Sequence, residues 1–458
     1  MRLPLPWLAA GLLASLAAGS PASPPERVHL TIVHTNDLHG YIQNAAAIAS
    51  VAREARAKNP HTLFLDAGDA ISGTPVSTVF KGEPIFEVMT LMGYDAATLG
   101  NHEFDHGWKQ VARFRALAGH PLLCANATDP EGGLLGDEAY RVFKLGDVRV
   151  GVIGLLSEDM PRLTTTANWD GCSVEAPLAA ARRLVPEVRK KADLVVLLTH
   201  VGVEVDTAIA GAVPGIDLVV GGHSHTELKE PIWAPCGERK VPVVQAYRYG
   251  ERVGIVEFDW DPEERSMRGF RSRLVTIDAA TMPNAADVKT LADQWTKRAG
   301  EKVDLSEVIG TTKRKLDRPA LRTALERIYA ELLGADFGFQ NLHGVRADVA
   351  AGDIRVEDVW KVLPFENTLV KLRLSGDQVP DYARRKLGKS FDPKKAYVFA
   401  TNSYVADQQR KYFGVSGVAV EPSNLAMRAA VVDWVRKHGG FDFGDDAPVH
   451  DDAEGEKR

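Results

Sequence analysis

Five short apolar runs in the first half of the chain each stop at His, Asp or Asn beside Gly, and this repeated ending limits what the chain can fold into. His29 to Val33 leads into His34-Thr35-Asn36-Asp37-Leu38-His39-Gly40, and Thr62 to Leu65 into Asp66-Ala67-Gly68-Asp69. Ala96 to Leu99 leads into Gly100-Asn101-His102-Glu103. Leu194 to Leu198 and Asp217 to Val220 end in Thr199-His200-Val201-Gly202 and Gly221-Gly222-His223-Ser224-His225. Near-continuous apolar runs of this length suit strands buried on both faces, as in sheets covered by helices. Ala45 to Lys58 and Pro177 to Lys191 have the composition and apolar spacing of such helices. The pattern predicts a layered α/β domain over residues 26–280, in which ligand sites gather outside the carboxyl ends of the strands.

A second unit follows. Ala285 to Glu301 reads as a helix within a linker at 281–304, joining the first domain to a smaller α/β domain at 305–444. There, Val308 to Lys313, Val370 to Leu374 and Tyr397 to Ala400 read as strands, and Leu321 to Leu333 and Leu425 to Lys437 as helices. Residues 445–458 carry almost no apolar surface and are expected to be disordered. At the other end, Arg2 precedes an apolar run from Trp7 to Ala18 and then small residues, the layout of a signal peptide over residues 1–25. That run is too short to span a bilayer, which takes about 20 residues. The expected mature protein is therefore secreted or periplasmic, without stable membrane insertion.

Lys and Arg number 55 against 61 Asp and Glu, a net charge of −6, which argues against a nucleic-acid polymer as partner. A small anionic ligand remains compatible, because a local site overrides net charge. The three cysteines, Cys124, Cys172 and Cys236, allow one bridge at most; Cys124 reads as a buried thiol, and pairing of Cys172 with Cys236 is left open.

Asp37, His39, Asp69, Asn101, His200, His223 and His225 need one explanation. Asp and Asn are ordinary turn residues, but His is not, and six of the 13 histidines sit in these five strand-end loops. Two divalent ions about 3.5 to 4 Å apart need a shared anionic bridge and further donors on each side. Asp69 is the natural bridge, Asp37 and His39 suit one ion, Asn101 and His200 the other, and His223 and His225 divide between them. His102 projects beside the site, with Asp105 one helical turn away to orient it as a proton donor. The mixed donors suit Mn, Zn, Co or Fe.

These motifs, in this order and spacing, resemble the calcineurin-like metallophosphoesterases. The opening His34-Thr35-Asn36-Asp37-Leu38-His39-Gly40, the run His102-Glu103-Phe104-Asp105 and the C-terminal unit are similar to the secreted 5'-nucleotidase and UDP-sugar hydrolase branch. The resemblance implies a metallophosphoesterase sandwich domain with a C-terminal substrate domain. It implies one metal on Asp37, His39, Asp69 and His225, a second on Asp69, Asn101, His200 and His223, and a catalytic pair of His102 and Asp105.

In the C-terminal unit it points to Asn341, Arg346 and Phe365 as contacts for a polar group, a phosphate and a base face. The chain also departs from the family. Leu342 and His343 replace small residues, and Ser403-Tyr404-Val405-Ala406 stands where a Gly-rich aromatic loop would clamp the base. Tyr404, Tyr412 and Phe413 read as packing residues, and Arg318 and Arg322 as surface arginines on a helix face. The expectation is an exported two-metal phosphohydrolase acting on nucleotides or related small phosphoesters. The alternatives are the same metal core acting on a sugar phosphate, cyclic nucleotide or sulfur ester, or a metal-retaining binding protein without turnover.

Overall fold

Val28–Thr35 pairs in parallel with Thr62–Asp66, which pairs with Ala96–Thr98 and then Leu122–Leu123. Arg252–Asp261 and Ser266–Thr276 add antiparallel on the other side, giving a six-stranded sheet. A second six-stranded sheet has Val148–Leu156, Leu194–His200, Leu218–Gly221 and Arg239–Val244 in parallel, with Tyr140–Leu145 and Ile232–Cys236 as antiparallel edges. The computed structural model describes residues 27–441, so the expected signal peptide and acidic tail lie outside the described residues.

Successive side chains on a strand point to opposite faces, and here both faces are apolar. Leu30 and Ile32 enter the core between the sheets together with Val196 and Leu198. Val33 faces the helices over the first sheet, while Val195 and Leu197 face those over the second. The result is a four-layered helix–sheet–sheet–helix sandwich, which explains why the strands read as unbroken apolar runs. Truncating a fully buried leucine here, Leu198→Ala for instance, costs roughly 2–5 kcal/mol.

The helix Ala45–Lys58 occupies the expected span and packs on the first sheet through Ile48, Val51 and Ala52. The helix in the linker region, Ala286–Lys302, lies on the same face: Val288, Ala292 and Ala299 are part of that core, and the Trp295 indole donates to Glu87 at 3.1 Å. It is thus built into the first domain rather than suspended between two. Val148–Leu156 is a core strand that the loop-ending pattern does not reveal, because no His, Asp or Asn follows it directly.

The C-terminal domain has a four-stranded sheet in the order Phe337–Gly338, Ala396–Asn402, Thr368–Ser375, Val420–Ala426, and a small pair of Val308–Thr312 with Gly352–Arg355. Arg318–Leu333 and Met427–His438 pack with Val356–Val362 around Leu325, Ile328, Val359 and Val431. Asp317 caps the first of these helices by accepting from the Ala320 amide at 2.9 Å, and Gly334 ends it in the left-handed conformation. All three cysteines are free thiols; Cys172 packs against the core of the first sheet and Cys236 against that of the second. Among the described residues, no helix is long and apolar enough to cross a membrane.

Candidate metal centre

Because the core strands run parallel, their carboxyl ends lie along one edge of each sheet, and the loops after Thr35, Asp66, Thr98, His200 and Gly221 meet where the two edges face each other. His225 Nε2 is 3.1 Å from Asp37 Oδ1 and 3.0 Å from His39 Nε2. His200 Nε2 is 3.1 Å from Asp69 Oδ2, and His39 Nε2 lies 3.9 Å from the same oxygen. Three overlapping donor triads form in this way: Asp37 with His39 and His225, Asp69 with His200 and His223, and His39 with Asp69 and His102. The His223 ring stands 5.1 Å from that of His200.

The loops hold four of the donors, Asp37, Asp69, His39 and His200, by spending one polar atom of each side chain on the scaffold. Asp37 Oδ2 accepts from the Asn36 amide at 2.6 Å and the His223 backbone N–H at 3.0 Å, leaving Oδ1 toward the site. Asp69 Oδ1 accepts from the His102 N–H at 2.8 Å, leaving Oδ2. His39 Nδ1 donates to the Ser72 carbonyl at 2.8 Å and His200 Nδ1 to that of Ala67 at 2.7 Å, so each turns its Nε2 toward the site. Asp37, His39, Asp69, His223 and His225 all have positive φ, between 48° and 76°, a region non-glycine residues rarely occupy. Such strain persists only where the surroundings over-determine it, and it clusters at functional sites. Gly222 permits the crowding, since a Cβ there would stand 2.6 Å from the Ala67 carbonyl oxygen.

The donor set fits divalent cations. Asn101 Oδ1 is buried with no partner, and Asp37 Oδ1 and His200 Nε2 are buried with no well-aligned hydrogen bond, their nearest ion-pair neighbours being His225 and Asp69 at 3.1 Å each, an arrangement that leaves room for a ligated cation. Burial favours a neutral Asp69, yet His200 and His102 outweigh it and hold the carboxyl well below its usual range. Burial likewise disfavours charge on His200, but Asp69 pushes its pKa up to about 10. The carboxylates thus demand positive charge, and the adjoining His200 and His102 imidazoles answer it by holding protons. His39, buried and beside Arg346, is held well below its usual range, and burial and His200 bring His223 down to about 4. Neutral imidazoles of this kind are suited to ligate a metal ion.

His102 Nδ1 lies 2.8 Å from Asp105 Oδ2. Burial opposes its charge, but Asp105 and Asp69 outweigh burial and raise its pKa. The Phe365 ring stacks on His102 with centroids 5.3 Å apart and planes within 7°, and the Arg346 guanidinium lies 3.4 Å from His39 Nε2. Asn341 is placed elsewhere: it is buried, and its Oδ1 accepts from Gln340 and Asn402 at 3.2 Å each, inside the C-terminal domain. Tyr404 donates from its hydroxyl to the Arg162 carbonyl at 2.9 Å, and Phe413 packs in the domain core against Phe339 and Phe399.

Glu103 was legible in the sequence only as a neighbour of His102. Its buried carboxylate accepts from the Gly100, Ala70 and Asp69 amides at 2.6, 2.8 and 3.1 Å, tying two strand-end loops together. Burial and Asp69 raise its pKa to about 7. Tyr249 is a second unforeseen residue, with its ring 5.5 Å from His39 and its amide donating to the Asp37 carbonyl at 2.7 Å. Neither carries a sequence signal, since both roles depend on contacts between distant loops.

A family model for the calcineurin-like phosphoesterases matches residues 30–227, and one for the 5'-nucleotidase C-terminal domain matches residues 308–385. The chain is 30% identical to a 5'-nucleotidase of Vibrio cholerae, over 92% of its own length and 87% of the relative's. It is 29% identical to the protein UshA of Yersinia enterocolitica, over 93% and 88%. The crystal structure of a 5'-nucleotidase precursor from Thermus thermophilus superposes with a TM-score of 0.77 at 24% identity, covering 90% of this chain and 97% of that one.

Proposed function

Because the chain belongs to the calcineurin-like phosphoesterases that carry a 5'-nucleotidase C-terminal domain, and is thus a metal-dependent phosphoester hydrolase, we propose that it hydrolyses nucleotides and related small phosphoesters. The proposal extends to two divalent ions, one that Asp37, His39, Asp69 and His225 would hold and one that Asp69, Asn101, His200 and His223 would hold, with Asp69 common to both sets. It also includes export, on the strength of the leader-like first 25 residues and the relatives' similarity along most of the chain. The observation that carries the reading is the pair of triads around Asp37 Oδ1 and Asp69 Oδ2, flanked by the His102–Asp105 pair.

When bound, the ions supply charge against the phosphoryl oxygens and lower the pKa of the water that attacks phosphorus. The protein's residues do the rest. Arg346, next to His39, holds a phosphoryl oxygen with a charge-assisted hydrogen bond. Asp105 accepts from His102 Nδ1 and so aims Nε2 at the leaving oxygen. As the phosphorus–oxygen ester bond breaks, the Nε2 proton passes to that oxygen and the alcohol leaves. Phe365 covers the open face of the imidazole and keeps water from it.

Base selectivity on this reading is weak, because Phe365 is engaged with His102 and Tyr404 with Arg162. The test is a panel of nucleoside monophosphates, sugar phosphates, cyclic nucleotides and p-nitrophenyl phosphate, assayed with added Mn2+. Turnover of several monophosphates with kcat/KM within about tenfold of one another is expected. Absence of turnover on every ester would overturn the reading.

A further inference from the structure

Three arginines surround the His39 side of the cluster, and among the described residues none of their guanidinium groups forms an ion pair with a carboxylate. Arg346 Nη2 lies 3.4 Å from His39 Nε2. Arg318 is no free surface arginine: its Nε donates to the Val345 carbonyl at 2.5 Å and its Nη2 to that of Leu342 at 3.0 Å, bracing the turn that delivers Arg346. Arg248 stands 4.7 Å over the ring of Tyr249, which is itself 5.5 Å from His39, and 5.2 Å from the ring of Tyr247. Arg248 Nε is buried and has no partner.

Arg248 is presented by a strained segment. Tyr247 and Tyr249, on either side of it, have φ of 65° and 59°. The segment is tied down at both tyrosines: Asn36 Nδ2 donates to the Tyr247 carbonyl at 2.5 Å, and the Tyr249 amide donates to the carbonyl of Asp37, one of the metal-site aspartates, at 2.7 Å. Backbone held this firmly in a disfavoured region points to a side chain whose position matters. Burial, with the charges of Arg346 and Arg248, moves Arg318 below its ordinary range, so the cluster is under mutual repulsion. With Arg318 engaged by backbone carbonyls and Arg346 set to hold the reacting phosphoryl group, Arg248 is a further guanidinium that one phosphoryl group does not call for. A planar fork of N–H donors over an aromatic face matches a phosphate.

We propose that Arg248 receives a second phosphate of the substrate, beyond the phosphoryl group that reacts, and so sets a preference for esters that carry two phosphates over those that carry one. Arg318 is a positioning residue that acts through Arg346. The inference rests on the phosphohydrolase reading and deepens it by naming what selects the substrate.

The test compares the metal-loaded wild type with Arg248→Gln and Arg248→Lys on a nucleoside monophosphate, the matching diphosphate and p-nitrophenyl phosphate. In Arg248→Gln the diphosphate-to-monophosphate ratio of kcat/KM falls about tenfold, the worth of one charge-assisted contact, and Arg248→Lys recovers part of it. By calorimetry, methylenediphosphonate binding weakens about tenfold in Arg248→Gln relative to orthophosphate binding. A ratio that stays within about twofold of wild type, or an equal loss for both anions, overturns the proposal while leaving the hydrolase reading intact. A wild type inactive on every ester overturns the hydrolase reading first, and this one with it.

Discussion

The ring of Phe365 lies flat on the imidazole of His102, the planes 7° apart, although 263 positions separate them in the chain and they belong to different domains. The contact makes the C-terminal domain part of the surroundings of His102. It also occupies the face that a nucleobase would need.

Phe365→Ala is therefore expected to lower kcat for all phosphoesters to a similar degree, about 3- to 10-fold, in line with about 0.5–1.5 kcal/mol for an aromatic contact. Steady-state kinetics over the ester panel checks this. A loss confined to one nucleotide would mean that the ring leaves His102 to bind the base.

His102→Ala is expected to lose roughly 10²- to 10⁴-fold in kcat while keeping its metal: of the three triads only His39, Asp69 and His102 includes it, and the other two, Asp37 with His39 and His225 and Asp69 with His200 and His223, stay intact. Esters with good leaving groups, which need little protonation, should lose least. Asp105→Asn should follow the same pattern more weakly, since it disturbs the aim of the imidazole but leaves it in place. An equal loss on p-nitrophenyl phosphate and on alkyl phosphates would reassign His102 to positioning phosphate.

A structural histidine offers a separate check on the electrostatics. His120 is buried with both ring nitrogens unpartnered, and burial brings its pKa down to about 4. A depressed histidine pKa leaves stability intact above the unfolded value near 6.5 and removes it as pH falls toward 4, because only the unfolded chain takes up the proton. His120→Leu is expected to stabilise the fold by about 1–3 kcal/mol at pH 7.5 through loss of the orphaned polar atoms. The gain should grow by roughly 2 kcal/mol at pH 5. Denaturant melts of both proteins at the two pH values measure it, and a gain independent of pH would show that His120 titrates normally.

The strand-end motifs were readable in the sequence because parallel strands buried on both faces leave unbroken apolar runs, and each run here ends in a residue that a core strand would not otherwise tolerate. Asp37, His39, Asp69, His200, His223 and His225 stand together for that reason, and Asn101 Oδ1 is buried without a partner in the same run of loops. Their left-handed backbone was not readable, since Asp and His carry no local signal for it. Glu103, Tyr249 and Arg318 were missed or misjudged for a common cause. Each acts on backbone amides or carbonyls of another loop, contacts that exist only once the chain is folded. Arg318 in particular has the helix position of a solvated residue, and only the approach of the Leu342–Val345 turn gives it work.

The central claim, two ions sharing Asp69, is tested most directly by metal analysis of purified wild type and Asp69→Asn after loading with Mn2+, alongside the phosphoesterase rate. Asp69 Oδ2 is the carboxylate oxygen beside both His39 and His200, and an amide there keeps the shape while removing the charge that the proposed ions would share. Wild type should hold two ions per chain. Asp69→Asn should hold one or fewer, with hydrolysis reduced to background. Two ions retained in Asp69→Asn, with normal turnover, would contradict the shared bridge.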